Sequence, residues 1–267
     1  MTLIYYFSGS GNSLALAKDL AAGLDAELQA MAEHAEGVRV PEEVEAVGFV
    51  FPSHDFQAPT FVQSWLSGTD GLAGKYLFAV MSYGISPGRG LSKLEALIAK
   101  RGGRLAAGFA VMMPHNGIGS RLQPPEVRSR LLEEWQERRP HVLDAINRRE
   151  DRVGEAELSL LGFFRNDSWR MLPGLFRFIG AMMREGEKGL TYNADEACNA
   201  CGICARVCPV GNIRMDGGRP VWGSACVNCF ACLHWCPQEA THLGTRDLKI
   251  DHLYRHPDVT VKEMIGS

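Results

Sequence analysis

Leu3-Ile4-Tyr5-Tyr6-Phe7 is a short apolar run that stops at Ser8 and Gly9, which predicts a buried strand. Past Ser8-Gly9-Ser10-Gly11-Asn12-Ser13 the apolar positions return as Leu14, Ala17, Leu20, Ala21 and Leu24. That spacing predicts a helix starting directly after the Ser/Gly loop. Further strand-like runs occupy residues 26–31, 44–51, 76–82 and 105–112, separated by helical patterns around residues 59–66, 91–101 and 127–149. Five strands alternating with helices predict a parallel sheet covered on both faces, with ligands bound beyond the C-terminal strand ends near the switch in strand order.

The last third of the chain has a different pattern. All eight cysteines lie there, in one motif written twice: Cys198-x2-Cys201-x2-Cys204-x3-Cys208-Pro209 and Cys226-x2-Cys229-x2-Cys232-x3-Cys236-Pro237. Three closely spaced thiolates wrap one face of an iron–sulfur cubane, and the fourth is carried on toward a second cubane. The spacing implies two 4Fe-4S clusters with crossed ligands: Cys198, Cys201, Cys204 and Cys236 for one, and Cys226, Cys229, Cys232 and Cys208 for the other. Zinc sites close with four ligands and have no use for the third short spacing or the Cys-Pro exit. A disulfide framework belongs to short secreted chains, whereas two-thirds of this chain has no cysteine. Ile203, Val207, Ile213, Val221, Val227 and Ala240 supply only a small apolar shell, so the clusters themselves are expected to staple this part.

The Ser/Gly loop lies between a strand and a helix N-terminus, where free backbone N–H groups and the helix dipole favour an anion. No Gly-Lys-Ser/Thr follows for a nucleoside triphosphate, and the glycine pattern for a dinucleotide pyrophosphate is absent. A hydroxyl-rich loop without lysine suits a phosphate monoester, and FMN is the expected ligand, on Ser8, Ser10, Gly11, Asn12 and Ser13. Two loops at other strand ends carry an aromatic each: Pro52-Ser53-His54-Asp55-Phe56-Gln57-Ala58-Pro59 and Ser82-Tyr83-Gly84-Ile85-Ser86-Pro87-Gly88. An isoalloxazine ring needs flat apolar partners and backbone polar groups at its edge. Phe56 and Tyr83 are the stacking candidates, with Pro52, Ser53, His54, Ser82 and Gly84 beside them.

On these motifs, residues 1 to about 150 resemble a short flavodoxin: the loop matches that family's phosphate pattern of hydroxyl, any, hydroxyl, Gly, any, hydroxyl. The cysteine module resembles a bacterial-type ferredoxin, and the whole chain resembles the flavodoxin–ferredoxin fusion proteins of anaerobic microbes. Pro114-His115-Asn116 and the tail Tyr254-Arg255-His256-Pro257 extend the likeness, and it adds Asn116 to the flavin candidates. The resemblance implies an α/β doubly wound five-stranded sheet of order 2-1-3-4-5, followed by a small α+β ferredoxin-like domain. One departure stands out: many flavodoxins place a glycine in the loop after the third strand, and none lies between Pro52 and Pro59. A peptide flip there is costlier with a side chain present.

The expected organisation is a flavin domain over 1–150, an apolar connector over 151–190 that packs between domains, and a two-cluster domain with a C-terminal tail over 191–267. Arg165, Asp167, Arg170 and Arg177 interrupt the connector too often for a spanning helix, and Pro173-Gly174 breaks it. A basic amphipathic segment of this kind also suits a membrane surface or a homodimer face. A net charge of −3 without a basic run interleaved with aromatics argues against nucleic acid. The first strand lacks a basic leader and a cleavage site, so a cytoplasmic protein is expected. His234 reads as a surface helix residue, and Trp222, Trp235 and Tyr254 as packing around the clusters or against the first domain.

These features imply an electron carrier that passes electrons between two 4Fe-4S clusters and FMN, converting between one-electron and two-electron redox partners such as ferredoxin, flavodoxin or an oxidoreductase. The alternative is an FMN-dependent reductase of a quinone, an enone or a corrinoid centre, fed by its own clusters. His54 and His115 are then the proton-donor candidates.

Overall fold

The computed structural model describes residues 1–117, 123–154, 191–244 and 254–266. Apart from its first four residues, the 151–190 connector lies outside the described residues.

The first half is a parallel sheet with helices on both faces. Its elements run β1 (Thr2–Tyr6), α1 (Asn12–Leu24), β2 (Glu27–Ala30), β3 (Ala46–Pro52), α2 (Thr60–Ser67), β4 (Tyr76–Tyr83), α3 (Gly90–Lys100), β5 (Leu105–Met112), α4 (Pro125–Asn147) and β6 (Arg152–Gly154). The strand order is β2-β1-β3-β4-β5-β6, and every pairing is parallel. The first five strands take the expected order, and the short β6 is added at the β5 edge beyond residue 150. Alternation along β1 explains both layers. Leu3, Tyr5 and Phe7 enter one core with Phe61, Trp65, Leu66, Leu94 and Ile98 from α2 and α3. Ile4 and Tyr6 enter the other, with Leu16 and Leu20 of α1 and Trp135, Val142 and Ile146 of α4. Trp65 is fully buried, and truncating it to alanine would cost about 3–5 kcal/mol.

The second half is smaller and built as a repeat. β7 (Tyr192–Ala194) pairs antiparallel with β10 (Thr241–Leu243), and β8 (Ile213–Asp216) with β9 (Arg219–Trp222). Between them lie single helical turns α5 (Ile203–Arg206) and α6 (Ala231–His234), and the tail ends in α7 (Val261–Ile265). Ala200 and Asn228, Gly202 and Phe230, and Gly211 and Glu239 share left-handed backbone angles at the same offset that separates Cys198 from Cys226. The motif duplication in the sequence is therefore a duplication of backbone shape. Phe230 holds the left-handed position that a glycine fills in the first copy, at a cost of about 1–2 kcal/mol.

Candidate functional site

The loop after β1 and the N-terminus of α1 form a cradle of unpaired donors. Gly11 (φ 98°) turns the chain into α1, and its N–H donates to Ser8 Oγ at 3.2 Å. Among the described residues, the amides of Ser10, Asn12, Ser13 and Leu14 have no acceptor, and the first amide bonded back along the helix is Ala15 N to Gly11 O at 2.9 Å. Ser8, Ser10, Asn12 and Ser13 are nevertheless all buried. Buried, unpaired amides at a helix N-terminus are the donor set of an anion site. Asn12 Oδ1 is likewise buried without a partner, while Asn12 Nδ2 donates to Pro114 O at 2.9 Å.

Side-chain bonds tie this loop to the other strand ends. Ser13 Oγ and Ser82 Oγ are 2.9 Å apart, and Asn116 Nδ2 donates to Ser10 Oγ. Ser53 N donates to Ser82 O at 2.7 Å. Gly84 leaves room for the His115 ring, since a Cβ there would meet His115 Nδ1 at 2.4 Å. Pro52 ends β3 and Tyr83 ends β4, so the sequence-predicted residues converge at the C-terminal ends of β1, β3, β4 and β5, at the β1/β3 switch point. Gln123, which the sequence did not single out, is buried here and accepts from His115 N at 2.9 Å.

The loop after β3 is a tight turn. His54 N donates to Gln57 O and Gln57 N to His54 O, both at 2.9 Å, and Asp55 (φ 49°) and Phe56 (φ 61°) between them are both left-handed. The absence of glycine has thus not kept the turn out of the left-handed region; two side-chain-bearing residues carry the strain instead. Phe56 O accepts from Arg89 N at 3.0 Å, which fixes its peptide, while the Phe56 ring stays 55% exposed. A large aromatic held in solvent at the mouth of a site fits a flat partner. Burial pushes His54 down to about 4, against a smaller upward pull from Asp55. His54 is therefore neutral near pH 7 and poorly matched to donate a proton as an acid.

The cysteines form two neighbourhoods. Cys208, Cys226, Cys229 and Cys232 line one cavity together with Val210, Ile213, Trp222, Val227 and Phe230. Cys198, Cys201 and Cys236 are the thiols whose charges act on Cys204. No cysteine is in a disulfide. Among the described residues no three His, Cys, Asp or Glu side chains are placed to hold a single metal ion. Four thiols ringing a cavity instead suit a body larger than one ion. Its walls carry donors: the Trp222 indole N–H is turned toward the Cys232 thiol, and Asn212 Nδ2 is buried and unpartnered. Asn212 Oδ1 is taken by Ala225 N at 2.8 Å, which leaves the amide nitrogen free for a sulfur acceptor. Asn212 N donates to Cys208 Sγ and Ala240 N to Cys236 Sγ, both at 3.3 Å, equivalent bonds in the two copies. Such N–H···S bonds are outer-shell support for cluster thiolates. Burial pushes the Cys229 thiol up to about 12, with a further push from Cys208 and Cys226, so a coordinated cation is needed to hold a thiolate there. The residues present fit two clusters and a flavin phosphate.

The two halves meet at the phosphate loop. Trp235 Nε1 donates to Gly9 O at 2.9 Å, and His256 N donates to Ser10 O at 3.0 Å. A Cβ on Gly9 would fall 2.1 Å from Cys229 O, and one on Gly11 would fall 3.1 Å from His256 Cβ and 3.2 Å from Val259 Cβ. The Lys18 ammonium of α1 pairs with Glu263 of α7. His234 is 1% exposed, not a surface residue, because its helical turn faces this junction, and burial pushes it down to about 3. Trp235 packs in the α1/α4 core, and Tyr254 is buried with Arg128 over its ring at 5.9 Å from the centroid.

Residues 190–248 match the family of 4Fe-4S dicluster domains. The first half is similar to the two-electron reduced flavodoxin of Megasphaera elsdenii, at 18% identity over 42% of this chain and 85% of that one, with a TM-score of 0.32. It is similar to a flavodoxin from the domain Archaea at 15% identity, over 55% of this chain and 98% of that one, TM-score 0.36. Rubredoxin:oxygen oxidoreductase from the anaerobe Desulfovibrio gigas gives 16%, 55%, 36% and 0.38 in the same order. With scores this low, it is the observed strand order that makes the half flavodoxin-like. No curated protein matches the chain. The chain joins a flavodoxin-like half to a 4Fe-4S dicluster half.

Proposed function

We propose that this protein is an electron carrier that moves electrons between two 4Fe-4S clusters and FMN, and so between one-electron and two-electron redox partners. The observation that carries the reading is the docking of the cluster half on the phosphate loop through Trp235 to Gly9 and His256 to Ser10. Two cofactor sites in one chain need that closeness to exchange electrons.

FMN, when bound, supplies two-electron chemistry, and each cluster exchanges one electron. The chain's own groups do the rest. The amides of Ser10, Asn12, Ser13 and Leu14 hold the phosphate with neutral donors. Ser13 and Asn116 brace that loop against the strand ends that carry Ser82 and Pro114. Phe56 and Tyr83 supply aromatic surface for the ring, and His54 stays neutral beside it. Cys198, Cys201, Cys204 and Cys236 hold one cluster, and Cys208, Cys226, Cys229 and Cys232 the other.

The reductase reading has less support, because His54, one of its two proton-donor candidates, is neutral near pH 7. Among the described residues no helix is long and apolar enough to cross a membrane. A partner redox protein, in a reducing cytoplasm, fits best as donor or acceptor. The test is to reduce the protein with a one-electron donor protein and follow flavin absorbance. Bleaching of the flavin with clusters present, and its loss once they are stripped, is expected; equal bleaching in both would overturn the reading.

A further inference from the structure

The two sets of thiols differ in what they touch. Cys229 packs against the cores on both faces of the flavodoxin-like sheet, and Val210 and Val227 from the same cavity wall pack on the α2/α3 face. None of Cys198, Cys201, Cys204 and Cys236 is among the residues of either sheet core. In exposure the two sets are alike, each with one exposed, one buried and two part-exposed cysteines, so the difference lies in the packing against the sheet.

The contact itself is main chain on main chain. The Cys229 carbonyl lies over Gly9, a position of the phosphate loop with no side chain to stand between them. In the hydroxyl, any, hydroxyl pattern Gly9 holds an unrestricted position, yet here it is restricted: any Cβ would overlap Cys229 O at 2.1 Å, and backbone cannot swing aside as a side-chain end can. Trp235 completes the contact. Its indole N–H reaches Gly9 O at 2.9 Å from a buried position, and the Arg255 guanidinium lies 6.0 Å from its ring centroid.

We propose, resting on the electron-transfer reading above, that the centre held by Cys208, Cys226, Cys229 and Cys232 is the one that exchanges electrons with the flavin half. The crossing is the Cys229–Gly9 contact, and Trp235 is the positioning residue that fixes it. The centre held by Cys198, Cys201, Cys204 and Cys236 is the outer one. Each crossing oxidises the inner centre by one electron and reduces the flavin half by one. Two crossings, with two protons taken from water, complete a two-electron reduction, and the outer centre refills the inner.

Two measurements on the full chain separate the outcomes. In reductive titrations followed by electron paramagnetic resonance, without added FMN, Gly9→Val is expected to shift the signal of one centre, and Cys201→Ser to shift or remove that of the other. Action of both variants on the same signal would overturn the assignment. In the FMN-loaded protein, flash reduction of the clusters is expected to reach the flavin about tenfold to a hundredfold more slowly in Gly9→Val than in the wild type, as a small misplacement at a transfer contact dictates. Trp235→Phe should fall between the two. Unchanged transfer in Gly9→Val with FMN bound sinks the crossing. A wild type that takes up no FMN sinks the electron-transfer reading instead, while the titrations still decide which centre is inner.

Discussion

Gly9 and Gly11 are glycines for different reasons. Gly9 admits the Cys229 carbonyl, whereas Gly11 supplies a left-handed turn into α1 and lies close against His256 and Val259. Gly11→Ala combines backbone strain with that tight contact, so a loss of about 1–2 kcal/mol is expected, read as a lower urea midpoint with an unchanged slope. His54 gives a pH-dependent test. Its imidazole titrates near 4 when folded and near the ordinary 6.5 when unfolded, so the unfolded chain takes up the proton first and stability falls as pH drops from about 6.5 to 4. Between pH 7 and 5.5 this amounts to about 1 kcal/mol. His54→Gln should lose less stability than the wild type over that window; equal losses would mean that the folded chain does not hold the His54 imidazole low. At this scale the cysteines and the Ser/Gly loop were legible because their spacing is itself the chemistry. Asn212 was not, since its value lies in Oδ1 being taken by Ala225 so that Nδ2 is left over.

Long elements were legible, as was the four-residue β2 in the run at 26–31, but the three-residue strands and single helical turns were not. The patterns at residues 44–51, 59–66, 76–82, 91–101 and 105–112 became β3, α2, β4, α3 and β5 within a few residues, because a full period of buried positions was present in each. β6, β7 and β10 have three residues each and α5 and α6 one turn each, too few for a period to form. α7 is set by its cap instead: Thr260 accepts from Glu263 N, and Glu263 reaches back to Thr260 N at 2.7 Å. Thr260→Ala should loosen this helix by about 1 kcal/mol. The consequence to measure is faster amide exchange at His256, whose N–H bonds Ser10 O. Unaltered exchange would mean that the tail is held on the loop without its cap.

On the scale of the molecule, the sequence separated two halves by their patterns but not the way they meet. Nothing periodic marks Trp235 as a donor to Gly9, or the His234 turn as interior, since both depend on a surface that only the folded partner half provides. That junction also predicts linkage: one lost hydrogen bond at the phosphate loop, as in Trp235→Phe, should weaken FMN binding about three- to tenfold, measured by quenching of flavin fluorescence. The most direct measurement of the whole account is the cofactor content of protein purified without oxygen. Iron, acid-labile sulfide and released flavin are expected at about eight, about eight and about one per chain. Eight irons with no flavin, even after FMN is added, would make the first half a docking scaffold and contradict the electron-carrier account.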